Sequence, residues 1–323
     1  MHYNINQKKR KISADIFLQT LEKQTAFWYN PSVEYILGDD KVPATESILR
    51  YPGGKSQLYA AVKALVEFNS FRNRTYVEPF AGGAGLALKL LYNNVVPNIV
   101  INDFDPAIYA VWYACLNEPN ELKQLINTTP LTINEWDRQK AIYLTPNEHS
   151  LLELGFATLY LNRTNKSGII EGGVLGKRDQ SGPYKMSARF NRDTLCKKIS
   201  RIASHRDNIL LFNLDAKKFL SDLDNIIGTP TFLNIDPPYV KKGAALYHNF
   251  FREKDHRELS HIISLCSCPW IVTYDMCDFV RELYEGYRCS KIDVHYSANI
   301  KRNANEYMFF SNELRLSPDI VLL

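Results

Sequence analysis

The chain has 323 residues, of which 45% are hydrophobic and 23% charged, and this composition argues against disordered, fibrous and low-complexity classes. Its six cysteines form no Cys-x-x-Cys pair and stand beside no histidine pair at ligand spacing, which argues against a zinc site. The net charge is +4, and no run of about eighteen apolar residues occurs. We therefore expect a cytoplasmic protein with reduced thiols, no metal and no membrane contact.

Positive charge is concentrated in one segment. From Arg163 to Arg206 there are eleven Lys or Arg residues and three acidic residues, so this segment alone carries +8. A localised surface for a polyanion explains such a concentration. For any single basic run, a solvated charged face is the simpler alternative.

Residues 1–46 contain the mixed polar and aromatic stretch FLQTLEKQTAFWYNPSVEYI and no recognisable chemical motif. We expect this N-terminal extension to form one or two helices. Its basic residues from Lys8 to Lys11 are interpreted as a frayed terminus, with DNA contact as the alternative.

Strand and helix patterns alternate from Thr75 onward. The strand TYVE runs into a glycine-rich turn, LALKLLYNN has helical periodicity, NIVIND is β-branched, and IYAVWYACL is again helical. The alternation resumes later with NILLFNLD, TPTFLNIDPPY and PWIVTYD, which are typical of buried strands ending in polar residues. The sequence predicts an α/β fold with a mostly parallel sheet flanked by helices.

A different kind of sequence interrupts this alternation. Residues 134–205 are rich in polar residues, glycine and basic residues, with apolar runs only at LLELGFATLYL and LCKKISRI. We predict three parts: the extension at 1–46, a catalytic domain from 47–133 and 206–323, and an inserted target-recognition region at 134–205, mainly helical with a hairpin.

The first chemical motif is Glu78-Pro-Phe-Ala-Gly-Gly-Ala-Gly85, with Asp103 twenty residues beyond Gly83 at the end of the next strand. Glycines let the backbone approach a ligand, and a carboxylate at the second strand's end suits ribose hydroxyls. A tight connection without a ligand is the alternative. Because GxGxxG is absent and Glu78 would repel a pyrophosphate, a cationic sulfonium is favoured. S-adenosylmethionine therefore fits this site better than NAD.

The second motif, Asp236-Pro237-Pro238-Tyr239, follows a hydrophobic strand. Two prolines fix φ and remove two backbone donors, so a carbonyl points outward at the sheet edge. An exocyclic amine has two N–H donors, and acceptance of both by Asp236 and the Pro237 carbonyl favours a tetrahedral nitrogen that attacks a methyl group in line. Tyr239 is expected to stack on a base flipped out of the duplex. The alternative is a proline-rich turn with an incidental aromatic residue.

From about Ile48 to near the C-terminus, the chain resembles DNA adenine methyltransferases of the Dam type, in which the cofactor motifs precede the recognition domain. The resemblance rests on seven landmarks in the same order. They are Arg50-Tyr51-Pro-Gly-Gly-Lys55, Glu78-Pro-Phe-Ala-Gly-Gly, Ile101-Asn-Asp103, Leu161-Asn-Arg163-Thr-Asn-Lys-Ser-Gly168, Asp236-Pro-Pro-Tyr239, Asp255-His256 and Thr273-Tyr274-Asp275.

The resemblance implies a Rossmann-like class I methyltransferase fold and methylation of adenine N6 in a specific double-stranded DNA sequence. It assigns Tyr51 and Lys55 to the cofactor, Asp103 to the ribose, and Asp236 to both cofactor and base. The implied cofactor-binding residues are Tyr51, Lys55, Glu78, Phe80, Gly83, Asp103 and Asp236. Asp215 is a weaker candidate for the cofactor's adenine, with a helix cap as the alternative.

The same resemblance implies that residues 162–185 form a DNA-facing hairpin and loop. The basic residues expected to contact phosphates or base edges are Arg163, Lys166, Lys177, Arg178 and Lys185. Tyr184 is expected to wedge into the gap left by the flipped base. The family also implies a monomer and admits a cognate restriction endonuclease as a functional partner.

Two other functions stay open. One is methylation of another planar nitrogen, in an RNA base or a protein glutamine; the basic insert favours nucleic acid over protein, and only the family resemblance favours DNA over RNA. The other is a catalytically silent DNA-binding relative. The presence of Lys55, Asp103, Asp236 and Tyr239 argues against a silent relative.

Overall fold

The structure, a computed structural model, describes residues 45–50, 55–240, 251–296, 302–318 and 320–323. Residues 1–44 of the predicted helical extension at 1–46, and the cofactor contact predicted for Tyr51, lie outside the described residues. The described residues belong to one compact unit that spans residues 43–323.

In the described part of the chain, a seven-stranded sheet has the order β3-β2-β1-β4-β5-β7-β6. The strands are β1 Thr75–Glu78, β2 Ile99–Asn102, β3 Ile209–Phe212, β4 Thr231–Ile235, β5 Trp270–Asp275, β6 Arg288–Tyr296 and β7 Arg302–Phe310. Strands β1 to β5 pair in parallel, as their buried apolar runs predict. The strand order reverses between β1 and β4, and in such sheets ligands bind in the crevice at that point.

Strands β6 and β7 add an antiparallel pair that the sequence analysis did not predict. β7 lies between β5 and β6, with Tyr274 opposite Tyr307 and Asp275 opposite Glu306. The pairing places the middle of β7 beside the carboxyl end of β5, and so brings Glu306 to the edge where the parallel strands end.

Helices cover the sheet between the strands. Their bounds are α1 Tyr59–Phe68, α2 Gly85–Tyr92, α3 Pro106–Asn117, α4 Pro119–Thr128, α5 Ile133–Leu144, α6 Leu151–Thr164, α7 Arg192–Ala203, α8 Ala216–Ser221, α9 Leu223–Ile227, α10 Glu253–Ser264 and α11 Asp278–Leu283. Local chemistry fixes several starts: Asp105 caps α3 ahead of a proline, and Ser150 forms a capping box with Glu153 at α6.

The core lies on both faces of the sheet. Because side chains alternate along a strand, Tyr76 and Phe232 pack into the larger apolar cluster, whereas Val77 and Leu233 pack into a second cluster on the other face. All four side chains are fully buried. Burial on both faces explains why these strands are continuously apolar in sequence.

Helix α6, from the predicted recognition region, is part of this core. Phe156, Leu159 and Tyr160 belong to the larger cluster. A Cβ atom added at Gly155 would lie 2.4 Å from the Ala110 carbonyl oxygen, so a glycine is needed for the close approach of α6 to α3. The functional division of the chain at residues 134 and 205 stays a prediction.

The loop after α6 contains a short antiparallel pairing where a hairpin was predicted, with backbone bonds from Lys166 to Gly173 and from Leu175 to Thr164. One antiparallel bridge joins Asn165 to Val174. The Asn165 side chain then organises the turn, since its amide donates to the carbonyls of Ile169, Ile170 and Gly172. A single buried asparagine thus adds three side-chain bonds to the short backbone pairing.

The α/β fold class, with a mostly parallel sheet and flanking helices, is confirmed by this architecture. Among the described helices, none has the length and apolar character of a membrane span.

Candidate active site

The site forms where the parallel strands end. Glu78 is the last residue of β1, Asp103 follows β2, and Asp236 follows β4. Since β1 and β4 are neighbours at the reversal of strand order, the fold brings these three predicted carboxylates to one crevice.

The glycine-rich turn after β1 has an unusual backbone. Gly82 and Ala84 both have positive φ, at 46° and 44°. This path turns the Gly82 amide toward Asp103, whose Oδ2 accepts its hydrogen bond at 2.7 Å. The Trp112 indole donates to the Gly82 carbonyl at 2.9 Å and fixes the turn from below. Gly83 is buried inside this turn, which places backbone at the floor of the crevice.

Asp103 is partly exposed at the crevice. Its Oδ1 accepts from the Asp105 amide at 3.0 Å while Oδ2 accepts from Gly82. Burial raises the pKa of Asp103 to about 7, and these two amides lower it. Each oxygen keeps a further acceptor site, so the oriented carboxylate is suited to accept from two ligand hydroxyls.

Glu78 is a buried carboxyl that lacks a cationic partner among its described contacts. Its Oε1 accepts from the Tyr76 hydroxyl at 3.2 Å. The pKa of Glu78 is raised to about 8, because burial and the nearby Asp236 carboxylate outweigh the lowering by the Tyr76 bond. A cation bound beside these carboxylates would offset that electrostatic cost.

Asn102 connects two loops of the crevice, and the sequence analysis gave it no role. Its amide donates to the carbonyls of Pro79 and Leu214 at 2.9 and 3.0 Å, and its oxygen accepts from the Leu214 amide at 2.9 Å. The signal was present, because Asn102 precedes Asp103 in a landmark segment. Its bonds hold the loop after β1 against the loop after β3.

Lys55, Asp236, Tyr239 and Glu306 form a buried cluster at the end of β4. The Lys55 ammonium lies 3.2 Å from Asp236 Oδ1 and 3.1 Å from Glu306 Oε2. It also donates to the Tyr239 hydroxyl, which in turn donates to Glu306 Oε1 at 2.7 Å. Three of these residues come from the predicted motifs, and Glu306 was missed.

Opposing effects set the charge states in this cluster. Burial raises the pKa of Asp236 to about 6, Lys55 lowers it, and the Glu306 carboxylate raises it. Burial alone would lower the pKa of Lys55, but Asp236 and Glu306 outweigh burial and raise it. Lys55 is therefore a fixed positive charge in this cluster.

Strand β5 orients the segment that follows β4. The Thr273 hydroxyl donates to Asp236 Oδ1 at 2.9 Å. Asp275 accepts from the Val240 amide at 3.0 Å, just after the motif's tyrosine. The landmark Thr273-Tyr274-Asp275 thus contributes two side chains that hold Asp236-Pro-Pro-Tyr239 in place.

The ring of Tyr239 lies in a position that differs from the expected one. It was predicted to stack on a flipped base, yet it is only 3% exposed and packs in the second core cluster. Pro237 is buried beside it. Phe80, predicted to contact the cofactor, is half-buried and lies edge-on to Phe251, with ring centroids 6.0 Å apart.

The predicted DNA-facing residues divide into two groups. Five are exposed, namely Lys166, Lys177, Arg178, Tyr184 and Lys185. Arg178 donates both guanidinium amines to Asp137, at 2.7 and 2.8 Å. Lys185 donates to the Gln180 carbonyl within the same loop.

Arg163 is the exception. Its guanidinium is largely withdrawn from solvent and donates to the Ile48 carbonyl. Burial and, to a smaller extent, the nearby Arg50 lower the pKa of Arg163 to about 10. Through this bond Arg163 anchors the segment ahead of Lys55, and its contact with DNA stays a prediction.

Asn162 reinforces that anchor. It accepts from the Arg50 amide at 2.8 Å and donates to the Arg50 carbonyl at 3.0 Å. Asp215, the weaker cofactor candidate, caps α8 by accepting from the Lys217 and Lys218 amides. The helix-cap alternative thus describes its bonds in this structure. In the described part of the chain, no group of three or more His, Cys, Asp or Glu side chains is placed to hold a metal ion.

Comparison with known proteins gives a consistent match. Residues 51–298 match the sequence model of a family described as D12 class N6 adenine-specific DNA methyltransferase. The chain is 23% identical over 257 residues to the type II methyltransferase M.CviBI of Paramecium bursaria Chlorella virus NC1A, covering 77% of this chain and 90% of the relative. It is 21% identical over 283 residues to the type II methyltransferase M.MjaIII of Methanocaldococcus jannaschii, covering 78% and 92%.

Similarity to solved structures is low. The chain matches an rRNA methyltransferase, aviRa from Streptomyces viridochromogenes, with a TM-score of 0.35 and 10% identity, over 80% of this chain and 85% of that one. This likeness is too weak to support an argument about function.

Proposed function

The chain belongs to the D12 class N6 adenine-specific DNA methyltransferases, and from this premise we propose that it uses S-adenosylmethionine to methylate an adenine flipped out of a specific double-stranded DNA sequence. The predicted enzyme class and family resemblance are confirmed by the family match. The observation that carries the finer proposal is the placement of Asp236 beside the glycine-rich crevice, held by Lys55 and Thr273.

The residues at the crevice fit S-adenosylmethionine. Asp103 presents an oriented, partly exposed carboxylate where ribose hydroxyls are expected, and Gly82 and Gly83 keep side chains out of the floor. Burial raises the pKa of Glu78 to about 8, and a cation bound beside Glu78 and Asp236 would stabilise the ionised form of both carboxyls. When bound, S-adenosylmethionine supplies a methyl group activated by its sulfonium charge. Lys55, Phe80 and Tyr51 complete the proposed set.

Asp236 is the proposed acceptor for the adenine amine. Among the described residues, Lys55 and Thr273 contact this carboxylate, and both contacts are to Oδ1. We therefore assign Oδ2 to one N–H of the amine and the Pro237 carbonyl to the other. Accepting both donors localises the nitrogen lone pair for in-line attack on the methyl carbon. The proton lost from nitrogen is then accepted by Asp236 or by solvent.

Stacking of Tyr239 on the extruded base requires that its buried ring become accessible. The cost of flipping a base is a few kcal/mol, partly recovered by stacking. On the DNA side, the exposed cations Lys166, Lys177, Arg178 and Lys185 suit phosphates or base edges, and Tyr184, 64% exposed, suits the wedge role.

Both relatives carry the name type II methyltransferase. This supports the further proposal that the enzyme protects a site cut by a cognate restriction endonuclease. The monomeric state and the cytoplasmic location stay predictions.

The direct test is incubation with tritiated S-adenosylmethionine and plasmid DNA, followed by mapping of modified bases by single-molecule sequencing. We expect label in DNA and N6-methyladenine at one repeated sequence. Plasmid already modified to completion is the matched control and should accept no further label. Label in RNA or in cytosine, with none in adenine, would refute the proposal.

A further inference from the structure

Glu306 is a buried carboxylate outside all of the sequence motifs. It lies on β7, opposite Asp275 on β5 and Ile292 on β6, and is 0% exposed. A buried charge is costly unless it is paired and hydrogen-bonded. Its partners therefore indicate what the charge does.

The two oxygens of Glu306 serve two different residues of the proposed active site. Oε1 accepts from the Tyr239 hydroxyl at 2.7 Å, and Oε2 accepts from the Lys55 ammonium at 3.1 Å. Lys55 reaches Asp236 Oδ1 at 3.2 Å from the same position. Glu306 thus holds the same ammonium that contacts Asp236 and also holds the tyrosine of the motif.

We propose that Glu306 is a positioning residue for methyl transfer, which holds the Lys55 ammonium against Asp236 and, before DNA binds, holds the Tyr239 hydroxyl inside the cluster. This inference rests on the proposed function. It makes Glu306 act through Lys55 and Tyr239, without contact to the base.

The charges in the cluster give the inference a measurable signature. Lys55 and Glu306 face Asp236 most closely, while Glu78, Tyr76 and Tyr274 also lie within electrostatic range. The Glu306 carboxylate raises the pKa of Asp236. Removing that charge lowers the pKa of Asp236, so the acid limb of the kcat profile should move to lower pH.

The test variant is Glu306→Gln, which keeps the shape and an acceptor for the Tyr239 hydroxyl but removes the charge. Loss of one charged hydrogen bond to Lys55 should reduce kcat by about 10-fold to 100-fold. KM for DNA should change by less than about 3-fold, since the exposed cations that contact DNA are untouched. Glu313→Gln, the same substitution at an exposed position, is the matched control and should match the wild type.

A binding measurement separates this inference from the proposed function. Calorimetry of S-adenosylmethionine binding across pH should show the same downward shift of the acid limb in Glu306→Gln. If the wild type binds this cofactor but labels no adenine, the proposed function fails, while the calorimetric shift still supports or overturns the role of Glu306. Wild-type kcat and an unmoved acid limb in both assays would overturn it.

Tyr239→Phe keeps the inference testable if Glu306→Gln does not fold. It removes the hydroxyl bonded to Glu306 and leaves every charge in place. We expect kcat to fall by about 5-fold, the value of one hydrogen bond, with an unmoved acid limb. An unchanged kcat, or an acid limb shifted as in Glu306→Gln, would contradict the inference.

Discussion

Two ion-paired sites, one centred on Lys55 and one on Arg178, occupy opposite environments in this molecule. Lys55 pairs with Asp236 at 3.2 Å and with Glu306 at 3.1 Å, and the three side chains are 5%, 23% and 1% exposed. Arg178 pairs with Asp137 at 2.7 Å, and these two side chains are 62% and 47% exposed. Burial, rather than distance, distinguishes the two sites.

The electrostatic consequences run in opposite directions. Hydrogen bonds from Arg178 lower the pKa of Asp137, whereas burial raises the pKa of Asp236 to about 6 even though Lys55 opposes it. A buried pair is rigid and costly to break, because removal of one partner leaves the other without compensation. An exposed pair contributes little and exchanges its partner easily. The buried environment suits a fixed catalytic geometry. The exposed environment suits an arginine that exchanges its carboxylate partner for a phosphate.

Removal of Asp236 is the strongest test of the difference between the buried and the exposed ion-paired sites. Asp236→Ala deletes the proposed acceptor for the amine, and methyl transfer should fall by at least about 100-fold, as for loss of a transition-state hydrogen-bond acceptor or donor. Duplex affinity should stay within a few-fold of the wild type, since the exposed cations remain. Transfer of tritium to plasmid DNA and fluorescence anisotropy of a labelled duplex measure the two effects.

Asp137→Ala is the matched control for that variant, because it removes a paired carboxylate from the exposed site. It should leave methyl transfer at saturating DNA unchanged. Near-normal turnover in Asp236→Ala, or an equal loss in both variants, would remove the functional distinction between the two pairs.

The second prediction uses pH to separate activity from stability at the buried site. The carboxylate of Asp236 must be ionised to accept from the amine, so kcat/KM should fall about 10-fold for each pH unit below the pKa of the free enzyme, which burial raises to about 6. The contribution of Asp236 to the free energy of unfolding changes with pH in the opposite direction to its effect on activity. The folded state binds the Asp236 proton more tightly than the unfolded chain, whose Asp titrates at its ordinary value of 3.8. This contribution to stability is present below that value and is lost as pH rises through about 6.

Comparison of the wild type with Asp236→Asn isolates the contribution of Asp236 to the pH dependence of stability. The melting temperature of the wild type minus that of Asp236→Asn should decrease between about pH 4 and pH 6 while wild-type kcat/KM increases. A temperature difference that grows with pH would show that Asp236 is stabilised in its charged form, contrary to the burial argument.

The buried site was largely predictable from sequence, and the reason is geometric. Buried parallel strands are continuously apolar, so their ends are visible, and Glu78, Asp103 and Asp236 each follow such a run. Glu306 was not predicted from sequence because it is a charged residue within an antiparallel strand. A buried acid in such a strand can be recognised only from the partner that neutralises it. That partner, Lys55, lies 251 positions away in the chain.

Side-chain direction was the second limit. Arg163 and Arg178 have the same residue type in the same basic segment, yet one is turned inward to the Ile48 carbonyl and the other outward to Asp137. Tyr239 was expected at the base and lies in the core. Composition locates a charged or aromatic residue along the chain, but only packing decides the face on which it lies.

The smallest expected effect tests the exposed pair. If Arg178 exchanges Asp137 for a phosphate, Arg178→Ala should reduce the slope of log affinity against log salt by about 0.9, which costs about 3-fold in affinity at ~50 mM relative to ~200 mM salt. Asp137→Asn should act in the opposite direction, because it frees the guanidinium without removing it, and should tighten binding at low salt. Both variants should have the same melting temperature as the wild type, since an exposed pair adds little stability. Anisotropy titrations across salt concentrations measure both slopes. If Arg178→Ala leaves the slope unchanged and Asp137→Asn does not tighten binding, the Arg178–Asp137 pair remains intact when DNA binds. The phosphate contacts would then belong to other cations of the loop.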